Sequence, residues 1–214
     1  MTGIAWALVC ATIVIAAVDW FAVATTNRHL EYVAKPATMV ALIAAASLLH
    51  PVDTQMRGWF IVALLFSLAG DVFLMLPNED LFVAGLGSFL VGHIAYIVGV
   101  RAGGVSAVGL SVGAVLAFMV LASFGPTLVK GARDVDRRLA APVVVYMTAI
   151  AVMVTFAFGS TVTILIAGAV LFFVSDFAIG WSKFVAEFPH SRLFINVTYH
   201  LAQVAIVVSL TRPR

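Results

Sequence analysis

The sequence predicts an all-α integral membrane protein, a bundle of about eight transmembrane helices forming one domain over residues 1–214. Two observations lead to this fold class. Of the 214 residues, 63% are hydrophobic and 10% are charged, whereas globular domains are about 45–50% apolar and about 25% charged. The apolar residues also form long runs between short polar connections, and a helix needs about 20 such residues to cross a bilayer. We therefore expect a multi-pass protein of the cell membrane.

Charged residues, Pro and Gly divide the chain into eight predicted spans. They are Ile4–Ala24, Pro36–Leu49, Trp59–Leu76, Leu81–Val100, Val105–Phe124, Leu139–Phe158, Thr161–Trp181 and Leu193–Leu210. The first span lacks a preceding Lys or Arg and exceeds the ~7–15 apolar residues of a signal peptide, so we expect a retained helix. The second span is short, and Lys35 at its edge is expected to reach toward the lipid headgroups.

Very short connections, Pro77–Asp80, Arg101–Gly104 and Gly159-Ser160, predict antiparallel neighbours in one compact domain. Eight spans place both termini on one side of the membrane. The opposite side holds eight Lys and Arg residues against four, which favours it as the cytoplasmic side. Half of these eight lie between Lys130 and Arg138, a segment that we expect to be a solvated loop.

The order of the segments indicates an internal duplication. Segment three contains LLFSLAGDVF with Asp71, and segment seven contains VLFFVSDFAI with Asp176. About one helix later, His93 and Tyr96 follow the first motif, and Tyr199 follows the second. Two parallel four-helix repeats would explain this order, as they do in other membrane folds.

Acidic residues within apolar spans are the main indication of a functional site. An ionised Asp at the centre of a spanning helix costs about 2.5–3.5 kcal/mol on insertion scales, so such residues usually face the bundle interior and have a function. Asp71 and Asp176 lie in the last third of their segments, and Asp19 lies at a similar depth. Each of the three could instead be structural and bond to neighbouring helices.

Segment eight carries a polar stripe at steps of four, three and four residues, which is one face of a helix. The stripe consists of Arg192, Asn196, Tyr199 and Gln203. Segment four adds Gly85, Ser88, Gly92 and Tyr96 on one face, with His93 beside it. Together with the aspartates, these residues predict a polar pocket that opens toward the cytoplasmic side. A packing role for His93, snorkelling of Lys35 and Arg192, and close helix packing at the glycines are the structural alternatives.

Several other classes of function lack a sequence signal. The net charge is only +2, and no basic stripe or motif indicates nucleic-acid binding. The single Cys10 cannot form a disulfide within the chain. Nucleophile elbows, zinc motifs and phosphate-binding glycine loops are absent from the sequence. Two Asp and one His could hold a metal, but no tight ligand spacing argues for one, and the sequence predicts no oligomeric state.

Five motifs follow one another along the chain. They are KPATM at Lys35, SLAGDVFLM around Asp71, F-x-x-G-L-x-S-F-L-x-x-H-x-x-Y from Phe82 to Tyr96, LFFVSD ending at Asp176, and Y-x-x-x-Q from Tyr199 to Gln203. Together they resemble the YhhN family, the bacterial branch of the lysoplasmalogenases, which are eight-helix membrane proteins. The resemblance covers nearly the whole chain in the same order. It implies hydrolysis of the vinyl ether bond of a lysoplasmalogen, a lysophospholipid, without a metal or organic cofactor, and Asp71 and Asp176 as the catalytic pair.

The residues fit this chemistry. Vinyl ethers are hydrolysed by protonation at carbon, which gives an oxocarbenium-like cation, so one protonated acid and one carboxylate are needed, as in glycosidases. The two aspartates would divide these roles, and Lys35 and Arg192 would hold the phosphate. The remaining polar residues would orient the acids or the water, namely Ser88, His93, Tyr96, Asn196, Tyr199 and Gln203. The alternatives are a proton-linked transporter of a small molecule or lipid, and a lipid-binding protein whose acids only join helices.

Overall fold

The structure, a computed structural model, describes residues 3–76 and 80–212, apart from the side chain of Asp80. These residues contain eight α-helices and one short 3₁₀ helix, Arg137–Leu139. The α-helices are α1 (Gly3–Ala24), α2 (Arg28–Leu48), α3 (Thr54–Met75), α4 (Asp80–Ala102), α5 (Ala107–Val135), α6 (Ala140–Ser160), α7 (Thr163–Phe184) and α8 (Ser191–Ser209). The predicted all-α bundle is confirmed. The predicted turn at residues 77–79 lies outside the described part of the chain.

Seven of the eight helices are long and apolar enough to cross a membrane. The remaining helix, α2, has 21 residues, which at 1.5 Å per residue gives about 31 Å, enough to cross the hydrocarbon core. It is more polar because Arg28, Glu31 and Lys35 lie in its first turns.

Helix α2 begins eight residues before the predicted start at Pro36, so that boundary was wrong. The side chain of Asn27 accepts a hydrogen bond from the Leu30 N–H and caps the helix there. Two charged side chains beyond the cap are neutralised by other helices, because Arg192 pairs with Glu31 and Asp71 pairs with Lys35. The charged residues before Pro36, which were predicted to lie in a connection, are therefore part of a helix.

Helix α5 continues to Val135, eleven residues past the predicted end at Phe124. The prediction of a solvated loop from Lys130 to Arg138 was therefore wrong, although the charged side chains of this segment are exposed. The helix continues because its last turns pack on α7: a Cβ added at Gly131 would lie 2.1 Å from the Phe184 carbonyl oxygen. A glycine at that position allows the two backbones to approach.

Seven of the helices form a ring in the order α1, α2, α3, α4, α6, α7, α8, which closes where α8 packs on α1. Helix α5 packs outside the ring against α6 and α7. The two halves of the chain are therefore not arranged identically, because α1 lies in the ring and α5 does not. The duplication remains a prediction.

Close contacts between helices fix the positions of both aspartates. A Cβ at Gly92 of α4 would lie 3.2 Å from the Ala63 carbonyl oxygen of α3. A Cβ at Gly168 of α7 would lie 2.9 Å from an Ile206 side-chain atom of α8. Small residues thus bring α3 to α4 and α7 to α8, and these four helices carry most of the polar residues of the interior.

Candidate active site

Asp71 on α3 is buried and has two polar partners from other helices. The Lys35 Nζ atom of α2 lies 3.2 Å from Asp71 Oδ1. The Tyr199 hydroxyl of α8 donates a hydrogen bond of 2.7 Å to Asp71 Oδ2. We call these three residues the Asp71 cluster. The Lys35 ammonium group is a permanent cation, which favours the ionised form of the carboxyl group that it faces.

Asp176 on α7 is also buried and has a different pair of partners. The Tyr146 hydroxyl of α6 donates a short hydrogen bond to Asp176 Oδ2. His93 Nε2 of α4 lies 3.0 Å from the same oxygen and 3.1 Å from the Tyr146 hydroxyl. These three residues form the Asp176 cluster. Because both contacts use Oδ2, Oδ1 is the carboxylate oxygen that these hydrogen bonds leave for a substrate.

The two clusters are built from corresponding helices. Each aspartate has one partner from the second helix of its own half of the chain, Lys35 on α2 or Tyr146 on α6. Its other partner comes from the fourth helix of the opposite half, Tyr199 on α8 or His93 on α4. The same framework thus places a carboxylate between two helices twice, once beside a cation and once beside a phenol and an imidazole.

Two phenylalanines separate the clusters. The Phe172 ring is fully buried, and its centroid lies 4.9 Å from that of His93 and 5.5 Å from that of Tyr199, edge-on to both. The Phe89 ring packs edge-on against Tyr199 at 5.8 Å and covers Gly70, the residue before Asp71.

A cavity of about 740 Å³, its open mouth included, lies between α4, α5, α6 and α7, next to the end of α3. Among the described residues its lining is apolar except for Asp176 and Tyr146. Phe82, Leu128 and Phe184 line it at the helix ends next to the predicted cytoplasmic side, whereas Val120 and Ile150 lie farthest inside. The cavity is therefore an apolar space with one carboxyl group, that of Asp176, among the described residues of its wall.

The cavity differs from the polar pocket that the sequence predicts. The polar stripe of α8 does not line this cavity. The Tyr96 hydroxyl donates a hydrogen bond of 2.5 Å to Gln203 Oε1, and Asn196 Nδ2 donates to the Arg192 carbonyl oxygen. Ser88 is buried on α4 outside both clusters.

The basic side chains predicted to bind phosphate are ion-paired here. Arg192 places one nitrogen 2.8 Å from both carboxylate oxygens of Glu31, and Lys35 faces Asp71. Glu31 was missed in the sequence because it precedes the predicted start of segment two. Tyr146 was missed because one tyrosine among valines resembles a packing residue.

Asp19 belongs to neither cluster. It is fully buried, and among the described residues neither of its carboxylate oxygens has a hydrogen-bond partner. The nearest polar ring is that of His200, whose Nδ1 lies 4.0 Å from Asp19 Oδ2 and accepts a hydrogen bond from Trp20 Nε1. The structure gives Asp19 no contact with the cavity.

Comparison with known proteins assigns the family. The sequence model of the YhhN family matches residues 30–210. A protein of Mycobacterium tuberculosis named lysoplasmalogenase is 36% identical over 191 residues, which cover 85% of this chain and 70% of that protein. The bovine protein named lysoplasmalogenase TMEM86A is 32% identical over 180 residues, with 78% and 69% covered.

The human protein named lysoplasmalogenase TMEM86B is 32% identical over 152 residues, with 70% of this chain and 62% of that protein covered. No solved structure matches. The family match spans all helices except α1 and includes both aspartate clusters. On this evidence the chain belongs to the YhhN family.

Proposed function

We propose that the protein is a membrane hydrolase that cleaves the vinyl ether bond of a lysoplasmalogen. The products are a fatty aldehyde and glycerophosphoethanolamine or glycerophosphocholine. The relatives named lysoplasmalogenase support the reaction and the class of substrate. The observation that carries the proposal is the apolar cavity with a buried aspartate on its wall.

The reaction requires one proton transfer and one water. A proton adds to the alkenyl carbon that is not bonded to oxygen, and the adjacent carbon and the ether oxygen then share a positive charge. Water adds to that carbon and loses a proton, which gives a hemiacetal. The hemiacetal breaks its bond to the glycerol oxygen, releasing the aldehyde and the glycerol hydroxyl. The enzyme must therefore donate a proton and stabilise a cation.

Asp176 suits the role of acid because it is the acidic group that lines the cavity. The Tyr146 hydroxyl and His93 Nε2 hold Oδ2, so the carboxyl group has one orientation. A substrate chain in the cavity would bring its alkenyl carbon to Oδ1. General acid catalysis of this kind contributes about 10²–10⁴-fold.

Asp71 suits the role of the carboxylate. Lys35 favours its ionised form, and its negative charge would stabilise the cation of the reaction in a medium of low dielectric constant. Phe89 stands between the cavity and Gly70-Asp71, since its ring lines the cavity and covers Gly70. A rotation of this ring would open a path between the cavity and Asp71.

The proposal is tested by measuring aldehyde release from lysoplasmalogen by the purified protein. Asp176→Asn is expected to lower kcat at least 10²-fold, and Asp71→Asn to lower it by a similar order. Asp134→Asn is the control, because Asp134 is exposed near the end of α5. Absence of aldehyde from folded wild-type protein with both the ethanolamine and the choline lipid would contradict the proposal and favour a transporter.

A further inference from the structure

Lys183 lies at the mouth of the apolar cavity. It is an exposed residue in the last turn of α7, and its Nζ atom lies 5.2 Å from the centroid of the Phe82 ring. Phe82 and Phe184 both line the cavity at this end and pack edge-on, with centroids 6.0 Å apart. A cation over an aromatic face is held there by the quadrupole of the ring. The ammonium group thus stands at the rim of the cavity.

The spacing of Lys183 and Asp176 matches a substrate that enters from this mouth. Seven residues are two helical turns, so the two side chains lie on the same face of α7, about 10.5 Å apart along its axis. In a lysoplasmalogen, the glycerol carbons separate the vinyl ether oxygen from the phosphate. A flexible lysine stem can cover the remaining distance. With the ether at Asp176, the phosphate would therefore lie toward Lys183.

The direction in which the hydrocarbon tail would run agrees with this placement of the phosphate. The cavity lining continues from Asp176 toward Val120 and Ile150, away from Lys183. These side chains are apolar and suit a hydrocarbon tail. A lysophospholipid in the opposite orientation would place its charged phosphate among them, which is costly without a partner.

The other basic groups considered for the phosphate already have carboxylate partners. Lys35 pairs with Asp71 at 3.2 Å, and Arg192 pairs with Glu31 at 2.8 Å. Neither of these bases lines the cavity. A phosphate bound to either base would have to compete with a buried or partly buried ion pair.

We propose that Lys183 binds the phosphate of the lysophospholipid, with the hydrocarbon chain in the cavity and the headgroup at the C-terminal end of α7. Lys183 is then a residue that determines specificity for phosphorylated over unphosphorylated alkenyl glycerols. This inference rests on the proposed function, because it assumes that the substrate ether reaches Asp176.

The test compares two substrates, an alkenyl lysophospholipid and the corresponding 1-alkenylglycerol without phosphate, in mixed micelles. The measured quantity is the ratio of their kcat/KM values. In Lys183→Gln this ratio should fall about tenfold, as expected for the loss of one charge-assisted contact, mainly through a higher KM for the phospholipid. Lys183→Arg should restore the ratio. Lys130→Gln, an exposed lysine of α5 at the same end of the bundle, is the matched control.

A binding measurement separates this inference from the proposed function. A saturated alkyl ether lysophospholipid cannot be hydrolysed by this route, and its binding can be followed by tryptophan fluorescence. Trp181 stacks on Phe177 of the cavity wall, with ring centroids 5.6 Å apart. The two can have different outcomes. If the wild-type protein cleaves neither substrate, and Lys183→Gln binds the alkyl ether lipid more weakly than the wild type does, the phosphate site is supported and the hydrolase activity is contradicted.

Two results would overturn the inference. One is an equal change in Lys183→Gln and Lys130→Gln. The other is a ratio of kcat/KM values that falls in Arg192→Gln but stays at the wild-type value in Lys183→Gln. That result would assign the phosphate to Arg192.

Discussion

The two aspartates differ in the side chains that face them. Asp71 faces an ammonium group and a phenol, whereas Asp176 faces a phenol and an imidazole. In a low-dielectric bundle the permanent cation of Lys35 favours the carboxylate form of Asp71, whereas Asp176 has no lysine or arginine partner among the described residues. This difference supports separate roles, with Asp71 as the anion and Asp176 as the proton donor.

Tyr146→Phe tests the environment of Asp176, because it keeps the ring and removes the hydroxyl donor. The hydroxyl stabilises the carboxylate that forms as Asp176 gives up its proton. A hydrogen bond to a charged group is worth about 1.5–3 kcal/mol, so kcat should fall by about tenfold or more. The KM should change little, since the ring still forms the cavity wall. Tyr32→Phe is the control, because Tyr32 is exposed on α2. An equal kcat for wild type and Tyr146→Phe would remove Tyr146 from the mechanism.

The polar residues that were predictable from sequence are those whose burial in a membrane is costly. Asp71 and Asp176 stood out for this reason, and His93 and Tyr199 followed from their position one helix later. Their hydrogen-bond partners were less predictable. Tyr146 is compatible with plain packing, and the pairing of Arg192 with Glu31 joins residues 161 positions apart. Contacts between residues so far apart depend on how the helices are arranged in space, which local sequence patterns do not predict.

At the scale of the helices, composition predicted their number and failed at two boundaries. Helix α2 starts early because its charged residues have partners on α3 and α8. Helix α5 ends late because its last turns pack on α7 through Gly131. In both cases tertiary contacts stabilise helical turns whose residues are otherwise typical of a connection.

Gly131→Ala tests the packing of α5 on α7. The added methyl group would lie 2.1 Å from the Phe184 carbonyl oxygen, a backbone atom that cannot rotate away. The helices must separate, and overpacking of this kind costs about 1–3 kcal/mol. Thermal unfolding in detergent should show a lower Tm for this variant. Gly87→Ala is the control because a Cβ there meets nothing within 4 Å, and equal Tm values would contradict the packing described.

At the scale of the whole molecule, the position of α5 outside the ring creates the cavity. The ring alone leaves α4, α6 and α7 with apolar faces that line a gap, and α5 covers it from the outside. Asp176 on α7 thereby lines an apolar cavity, while Lys35 beside Asp71 stays within the ring. Composition predicts a bundle but not which helix leaves the ring, so the cavity could not be predicted from the sequence.

The inner end of the cavity should limit the length of the hydrocarbon chain. Val120→Trp on α5 would fill this end, near Ile150, while Asp176 and Lys183 keep their places on α7. The ratio of kcat/KM for a long-chain over a short-chain lysoplasmalogen should therefore fall by at least tenfold, because the tryptophan would occupy the space that the end of a long chain needs. Val115→Trp is the control, since Val115 is exposed on the outer face of the same helix. If both tryptophan variants keep the wild-type ratio, the hydrocarbon chain does not occupy this cavity.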